Sequence, residues 1–359
     1  MTEPLLDIAN LGVSFPDGDG PDVRAVEDVS LTVRAGEVHG LVGESGSGKS
    51  VTARTVLRLL DDAEITADRL HYQGTDLLDR SEAEMRSIRG ADVGMIFQDA
   101  LSALNPVMTV GEQVAEVVRH HGDVDESSGL LSELRRKYVT GTSDASESWQ
   151  RAVELLETVG IPDPAERAAE YPHQLSGGQR QRVMIAGALA GDPSLIIADE
   201  PTTALDVTVE ADILDELRSL CDELGVAVLL ITHDLGVVAE TCDRVTVMYS
   251  GSVMEHGPAD RLFENPQHPY TQGLLRSIPE YAASDAELTT IPGSAPDPRE
   301  RPDGCPFRDR CPVAFDACSD PLPKHDVADD HTTYCHGYDA DAVDTVGDET
   351  PSQGIEVTE

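Results

Sequence analysis

A mixed α/β fold follows from three features of this 359-residue sequence. Residues 38–42, 195–199, 226–232 and 244–248 are strand-length runs, continuously apolar over most of their length. Runs without polar alternation are the mark of a parallel sheet covered on both faces. The first run leads into Gly43-Glu44-Ser45-Gly46-Ser47-Gly48-Lys49-Ser50, and a helical pattern over 50–60 follows that loop. Between residues 99 and 182 the chain turns helical and polar before core character returns.

Taken in order, residues 5–15 and 28–33 alternate enough to be strands, and the segment 16–21 between them is rich in turn formers. The loop at 43–50 matches the pattern GxxxxGK followed by Ser or Thr without a mismatch, in the strand–loop–helix context the pattern requires. Glycines allow backbone N–H groups to turn inward around a phosphate, and a helix N-terminus adds partial positive charge. Lys49 is placed to reach the β/γ-phosphates, and the Ser50 hydroxyl to ligate Mg²⁺. A plain glycine-rich turn explains neither the Lys-Ser pair nor both flanking elements. Residues 92–97 form the next strand, which ends at Gln98. Helical periodicity marks 110–121 and 149–160, and the polar stretch 122–148 reads as a flexible insertion. Leu175-Ser176-Gly177-Gly178-Gln179 precedes the basic start Arg180-Gln181-Arg182. The strand at 195–199 ends on Asp199, with Glu200 next to it, and two adjacent carboxylates after a buried strand are costly unless a cation or partner compensates. After residue 257 the pattern weakens, and prolines and cysteines concentrate.

In that sequence of motifs the chain resembles the ATP-binding subunits of ABC transporters. The resemblance runs from the phosphate loop through Gln98, Leu175 to Gln179, Asp199-Glu200, Ala204-Leu205-Asp206 and His233, and covers residues 5–338. It implies a RecA-like P-loop NTPase core with an N-terminal antiparallel β subdomain, a helical insertion subdomain and a C-terminal extension. The nucleotide-binding domain is expected over 1–257, with its helical subdomain at about 99–182, the extension over 258–338, and an acidic disordered tail over 339–359. By resemblance Asp199, Ser50 and Gln98 hold Mg²⁺, Glu200 polarises the attacking water, and His233 bonds the γ-phosphate. Ser176, Gly177, Gly178 and Gln179 cap the γ-phosphate held by an opposite subunit, so the active unit is a head-to-tail dimer with two ATPs sandwiched, and Asp206 contacts across that interface. The second ATPase chain is expected to be a paralogue. Phe15 is the candidate for stacking on adenine, with simple core packing its rival.

The extension narrows the resemblance. Asn265-Pro266-Gln267-His268-Pro269-Tyr270-Thr271 looks like a segment of the oligopeptide and dipeptide importer ATPases, as do Leu104-Asn105-Pro106-Val107 and residues 84–90 and 202–209. The implied role is ATP hydrolysis that powers peptide import through two transmembrane permease subunits, fed by an extracytoplasmic solute-binding protein. Other solutes (nickel, sugars) are the alternative, together with a non-transport ABC ATPase. Cys305, Cys311, Cys318 and Cys335, spaced C-x5-C-x6-C-x16-C, suit a metal or iron–sulfur site. Resemblance implies a 4Fe–4S cluster, zinc is the rival, and free thiols remain open. Standing after every nucleotide motif, the cluster is expected to take no direct part in hydrolysis. Cys221 and Cys242 read as packing residues.

Composition bounds the rest. Formal net charge is −41, from 26 basic and 67 acidic residues, and lysine occurs only at Lys49, Lys137 and Lys324. An acidic, lysine-poor surface suits a cytoplasm of molar salt, where charges more than about 3 Å apart are screened. It also excludes a nucleic-acid partner, which needs basic patches. No run reaches the length that spans a bilayer, and the N-terminus carries no signal peptide pattern, so the chain is expected at the cytoplasmic membrane face, held there by its permease partners. Six cysteines in such a compartment are not a disulfide framework.

Overall fold

The computed structural model describes residues 3–18, 20–121, 146–203, 205, 207–278, 291–328 and 330–338. The chain divides into two units, residues 1–78 with 230–359, and residues 79–229.

The first unit begins with β1 (Leu6–Phe15) and β2 (Val23–Val33), which pair antiparallel. β2 starts well before the alternating stretch at 28–33, and the pairing shifts register between Val29 and Val26, where Asp28 takes φ 54°, which puts 23–27 out of phase with that alternation. β3 (Val38–Val42) is buried throughout and feeds α1 (Lys49–Val56). β4 (Glu64–Thr66), β5 (Arg69–Tyr72) and β6 (Thr75–Asp76) complete an antiparallel sheet in the order β2-β1-β5-β6, with β4 on β1. Its inner face is made by Leu6, Ile8, Leu11, Val29, Leu31 and Leu70, each at most 3% exposed.

The second unit opens with α2 (Glu82–Ile88), where Ser81 and Glu84 form a reciprocal capping box. β7 (Val93–Ile96) runs parallel to β8 (Leu195–Asp199), and every residue of β8 is buried. Between them lie α3 (Ala100–Ala103), α4 (Val110–His121), α5 (Glu147–Thr158), α6 (Pro164–Arg167) and α7 (Gly177–Leu189). α4 buries Val110, Val114 and Val118, a stripe four residues apart, as helical periodicity requires. α5 buries Ala152, Leu155 and Leu156 and packs against both α4 and α7. The polar segment 122–148 lies outside the described residues but for its last three, where Ser146 caps α5. α8 (Val207–Leu224) follows β8 and buries Cys221.

The division between the units falls within β9 (Ala227–Thr232), which is buried at every position. The rest of the first unit comprises α9 (Leu235–Thr241), β10 (Arg244–Tyr249), β11 (Ser252–Pro258), α10 (Ala259–Glu264), α11 (Pro269–Leu275), β12 (His325–Ala328) and β13 (His331–Thr333). β10 lies parallel to β3, and β11, β13 and β12 continue from it antiparallel. The cysteine-bearing extension thus joins the sheet that carries the phosphate loop. The acidic residues 339–359 lie outside the described residues.

Candidate nucleotide-binding site

Continuous burial of Val38 to Val42 fixes where the chain must leave the sheet, and Gly43 makes the departure at φ 151°. A Cβ there would stand 2.0 Å from the Met248 carbonyl oxygen, so no larger residue fits. Gly48 caps α1 at φ 96°, where a Cβ would come within 2.6 Å of the Ala25 carbonyl oxygen. Between these hinges Ser45 and Gly46 are exposed, and the Ser47 N–H donates to the Glu44 carbonyl over 3.1 Å. Lys49 is only 4% exposed, and its ammonium donates to the carbonyls of Gly43 at 2.7 Å and Glu44 at 3.0 Å. The loop's own oxygens therefore hold the cation in place, which limits the ordering that a phosphate would have to impose. Ser50 is half-buried in the first turn of α1. Phe15, half-buried, ends β1 opposite Val23. His233 is exposed just past β9, and Asp234 after it caps α9 through bonds from the Gly236 and Val237 N–H groups.

In the second unit Asp199 is fully buried as the last residue of β8. The chain then turns through Glu200 at φ 48°, a left-handed conformation that costs a non-glycine residue about 1–3 kcal/mol. This turn aims the Glu200 carboxylate at two donors: the Gln98 amide nitrogen at 2.8 Å and the Thr203 hydroxyl at 3.0 Å. Two residues singled out in the sequence, 102 positions apart, are in this way brought into contact. Thr203 was not singled out, though it stands in the quoted 202–209 stretch. Ser176 is exposed and caps α7, its hydroxyl accepting from the Gln179 N–H while the Gln179 side chain accepts from the Ser176 N–H. Gly177 and Gly178 form the first turn of that helix. Asp206 lies outside the described residues.

The cysteine extension also has a definite geometry. Burial pushes the Cys305 thiol up to about 12 and the Cys335 thiol up to about 11, and raises Cys311 as well. Charge interactions among the thiols add to the rise: Cys305 feels all three others, and Cys335 feels Cys311 and Cys318. The backbone also links two of them, the Cys305 N–H donating to the Cys318 carbonyl at 2.9 Å. The backbone at Phe307, Val313 and Gly337, two residues on from Cys305, Cys311 and Cys335, works against that rise without reversing it. Among the described residues, no group of three or more His, Cys, Asp or Glu side chains stands ready to hold a metal ion. One residue before Cys311, Arg310 pairs with Glu44 of the phosphate loop at 2.8 Å. Neither Arg310 nor this pairing carries any signal in the sequence.

Loop, strand-end carboxylates and capped Gly-Gly helix together define an ATP-binding cassette. An ABC transporter family model matches residues 26–203, and an oligopeptide/dipeptide transporter C-terminal region matches 254–318. A Brucella abortus protein named for peptide import ATP binding is 48% identical over 93% of this chain and 95% of its own length. The dipeptide transport ATP-binding protein DppD of Escherichia coli is 46% identical over 92% of this chain and 96% of its own. Among solved structures, the cassette MJ0796 bound to ADP and Pi as a dimer aligns with a TM-score of 0.58 at 28% identity, covering 71% of this chain and 98% of that one. The chain belongs to the ATP-binding subunits of ABC transporters, in the group that bears the oligopeptide/dipeptide C-terminal region, and is an ABC-type ATPase.

Proposed function

We propose that the chain hydrolyses ATP to power import of dipeptides or oligopeptides. In this reading it docks from the cytoplasmic face on two permease subunits that a solute-binding protein supplies. Among the described residues no helix is long and apolar enough to cross a membrane. The observation that carries the hydrolytic reading is the Glu200 carboxylate, held by Gln98 and Thr203 immediately after the buried Asp199.

Residues 43–50 cradle the phosphates with backbone N–H groups, and Lys49 supplies the fixed positive charge. Mg²⁺, when bound, supplies charge neutralisation at the β/γ-phosphate oxygens. Ser50, Asp199 and Gln98 are the residues to hold it, and a buried carboxylate such as Asp199 suits a cation. Glu200 orients and polarises the attacking water, and His233 contacts the γ-phosphoryl group. Such hydrolysis asks the protein for positioning and charge neutralisation more than covalent chemistry. Ser176 with the Gly177, Gly178 and Gln179 backbone serves the nucleotide of an opposite chain, a paralogue in this proposal, with Asp206 at the same interface. Phe15 is proposed to stack on adenine.

Cys305, Cys311, Cys318 and Cys335 are proposed to hold a structural 4Fe–4S cluster. The C-x5-C-x6-C-x16-C spacing in a cysteine- and proline-rich extension is what supports that assignment. A preformed tetrahedral zinc site would need sulfurs about 3.8 Å apart, from bonds of about 2.3 Å. A 4Fe–4S cluster instead binds each thiolate to a different iron. The charge balance is proposed to be an adaptation to molar salt.

The test is a pair of variants in a reconstituted transporter. Glu200→Gln is expected to bind ATP, lose roughly 100-fold or more in turnover and accumulate as a dimer. Lys49→Ala is expected to lose nucleotide binding. Near-wild-type turnover of Glu200→Gln would remove Glu200 from its assigned role.

A further inference from the structure

The second residue of the phosphate loop is an acid. A carboxylate so close to a polyphosphate repels it, by an amount that low local dielectric enlarges. Here Glu44 is engaged twice by the C-terminal part of the chain. Its carboxylate pairs with the Arg310 guanidinium at 2.8 Å, and its backbone N–H donates to the Tyr270 hydroxyl at 3.0 Å. The Arg310 side chain is 8% exposed and otherwise fully committed. It donates to the Tyr249 hydroxyl at 3.1 Å, to the Pro292 carbonyl at 2.8 Å and to the Ile291 carbonyl at 3.3 Å. Its guanidinium also lies over the Tyr249 ring, 5.6 Å from the centroid. Tyr249 in turn packs on Tyr270 with centroids 4.7 Å apart. Such a fork of fixed donors holds its partner in one geometry, as a flexible ammonium would not.

We propose that Arg310 and Tyr270 are positioning residues for the phosphate-binding loop, acting through Glu44 to set its affinity for nucleotide. Arg310 cancels the Glu44 charge and draws the carboxylate toward the extension. Tyr270 turns the Glu44 N–H away from the ligand and fixes the entrance of the loop. The segment that carries the four cysteines is then a structural support of the nucleotide site, one residue from Cys311. This inference rests on the reading of residues 43–50 as the nucleotide site.

The experiment is equilibrium binding of MgATP to the purified full-length chain. Arg310→Met is expected to raise Kd about tenfold. Adding Glu44→Gln to it is expected to restore Kd to within about threefold of wild type, because the repelling charge has gone. A merely structural loss at Arg310 would not be relieved by that second change. Tyr270→Phe is expected to raise Kd about threefold with no relief from Glu44→Gln. If Arg310→Met fails to fold, Glu44→Gln alone decides: Kd falls, since Arg310 then faces the phosphates uncancelled. Unchanged Kd in Arg310→Met, no relief in the double variant, or a raised Kd in Glu44→Gln overturns the inference. Lys49→Ala separates the two levels. If it retains binding, the nucleotide site itself is misassigned; if it loses binding while the Arg310 results are negative, only the inference fails.

Discussion

At the scale of residues, the four extension cysteines pose the sharpest chemical question. Cys221 and Cys242 are buried as small apolar groups. Cys305, Cys311, Cys318 and Cys335 differ in being gathered within 31 residues of one extension, with burial raising the thiols of Cys305, Cys311 and Cys335. Bound to the proposed cluster they would be thiolates, whose mutual repulsion the irons would offset. The surrounding segment has few apolar residues to bury apart from Phe307, which is 2% exposed. The proposed cluster would offset that deficit. Protein purified without oxygen is expected to be brown, with iron and sulfide in equal amounts. Any one Cys→Ser change is expected to bleach it. Stoichiometric zinc in colourless protein would hand the site to zinc, and four titratable thiols without metal would leave packing as their role.

At the scale of elements, β11 and the turn into α11 hold two histidines that burial keeps neutral. Burial lowers His256 to about 4, helped by the positive charge of Arg244 and the neighbouring His39, Lys324 and His331. Burial alone lowers His268 to about 3, and its Nδ1 accepts from the Tyr270 N–H, so its proton sits on Nε2. Both folded values lie below the unfolded value of about 6.5. Above pH 6.5 neither state binds a proton and the histidines are silent. As pH falls below 6.5 the unfolded chain takes up protons that the folded chain refuses, so stability falls until pH nears the folded values. At pH 5 each histidine is expected to cost about 2 kcal/mol. Melting temperature should drop between pH 7 and pH 5, and His256→Gln should flatten the slope; a level profile over that window would refute the account. These strands also show where sequence reading stops. β3, β8, β9 and β10 were legible because each is a short, mostly apolar run buried on every residue. β12 and β13 were not, because β13 buries the polar His331, Thr332 and Thr333, with His331 bonded to the buried Glu255 and the Thr332 hydroxyl to Asp326, and polar burial leaves no hydropathy signal. The phosphate loop and the strand-end carboxylates were legible as motifs. The contact between Arg310 and Glu44 spans 266 positions, and no local pattern encodes it.

At the scale of the whole molecule, charge decides how stability responds to salt, and two effects compete. Salt weakens surface ion pairs such as Arg24–Glu27, Arg151–Asp192 and Arg299–Asp17, each worth about 0–1 kcal/mol. Salt also relieves repulsion among like charges, whose screening length falls from about 10 Å at 0.1 M to about 3 Å at 1 M. With 67 acids and 26 bases, 67 − 26 = 41 carboxylates remain even if every base were paired. Repulsion therefore wins, and the sign of the salt effect is fixed: the melting temperature is expected to rise by several degrees between dilute buffer and molar KCl. Chloride is the right anion for the test, because sulfate and phosphate strengthen burial by a separate route. Only seven of the 67 acids lie in residues 339–359. A chain ending at residue 338 keeps an excess of 34 negative charges (41 − 7, with no base removed) and should keep most of the rise. If removing those residues abolished the salt response, the effect would belong to the acidic end, and the adaptation of the remaining surface to molar salt would be refuted. A melting temperature that does not move between dilute buffer and molar KCl would refute it for the entire chain.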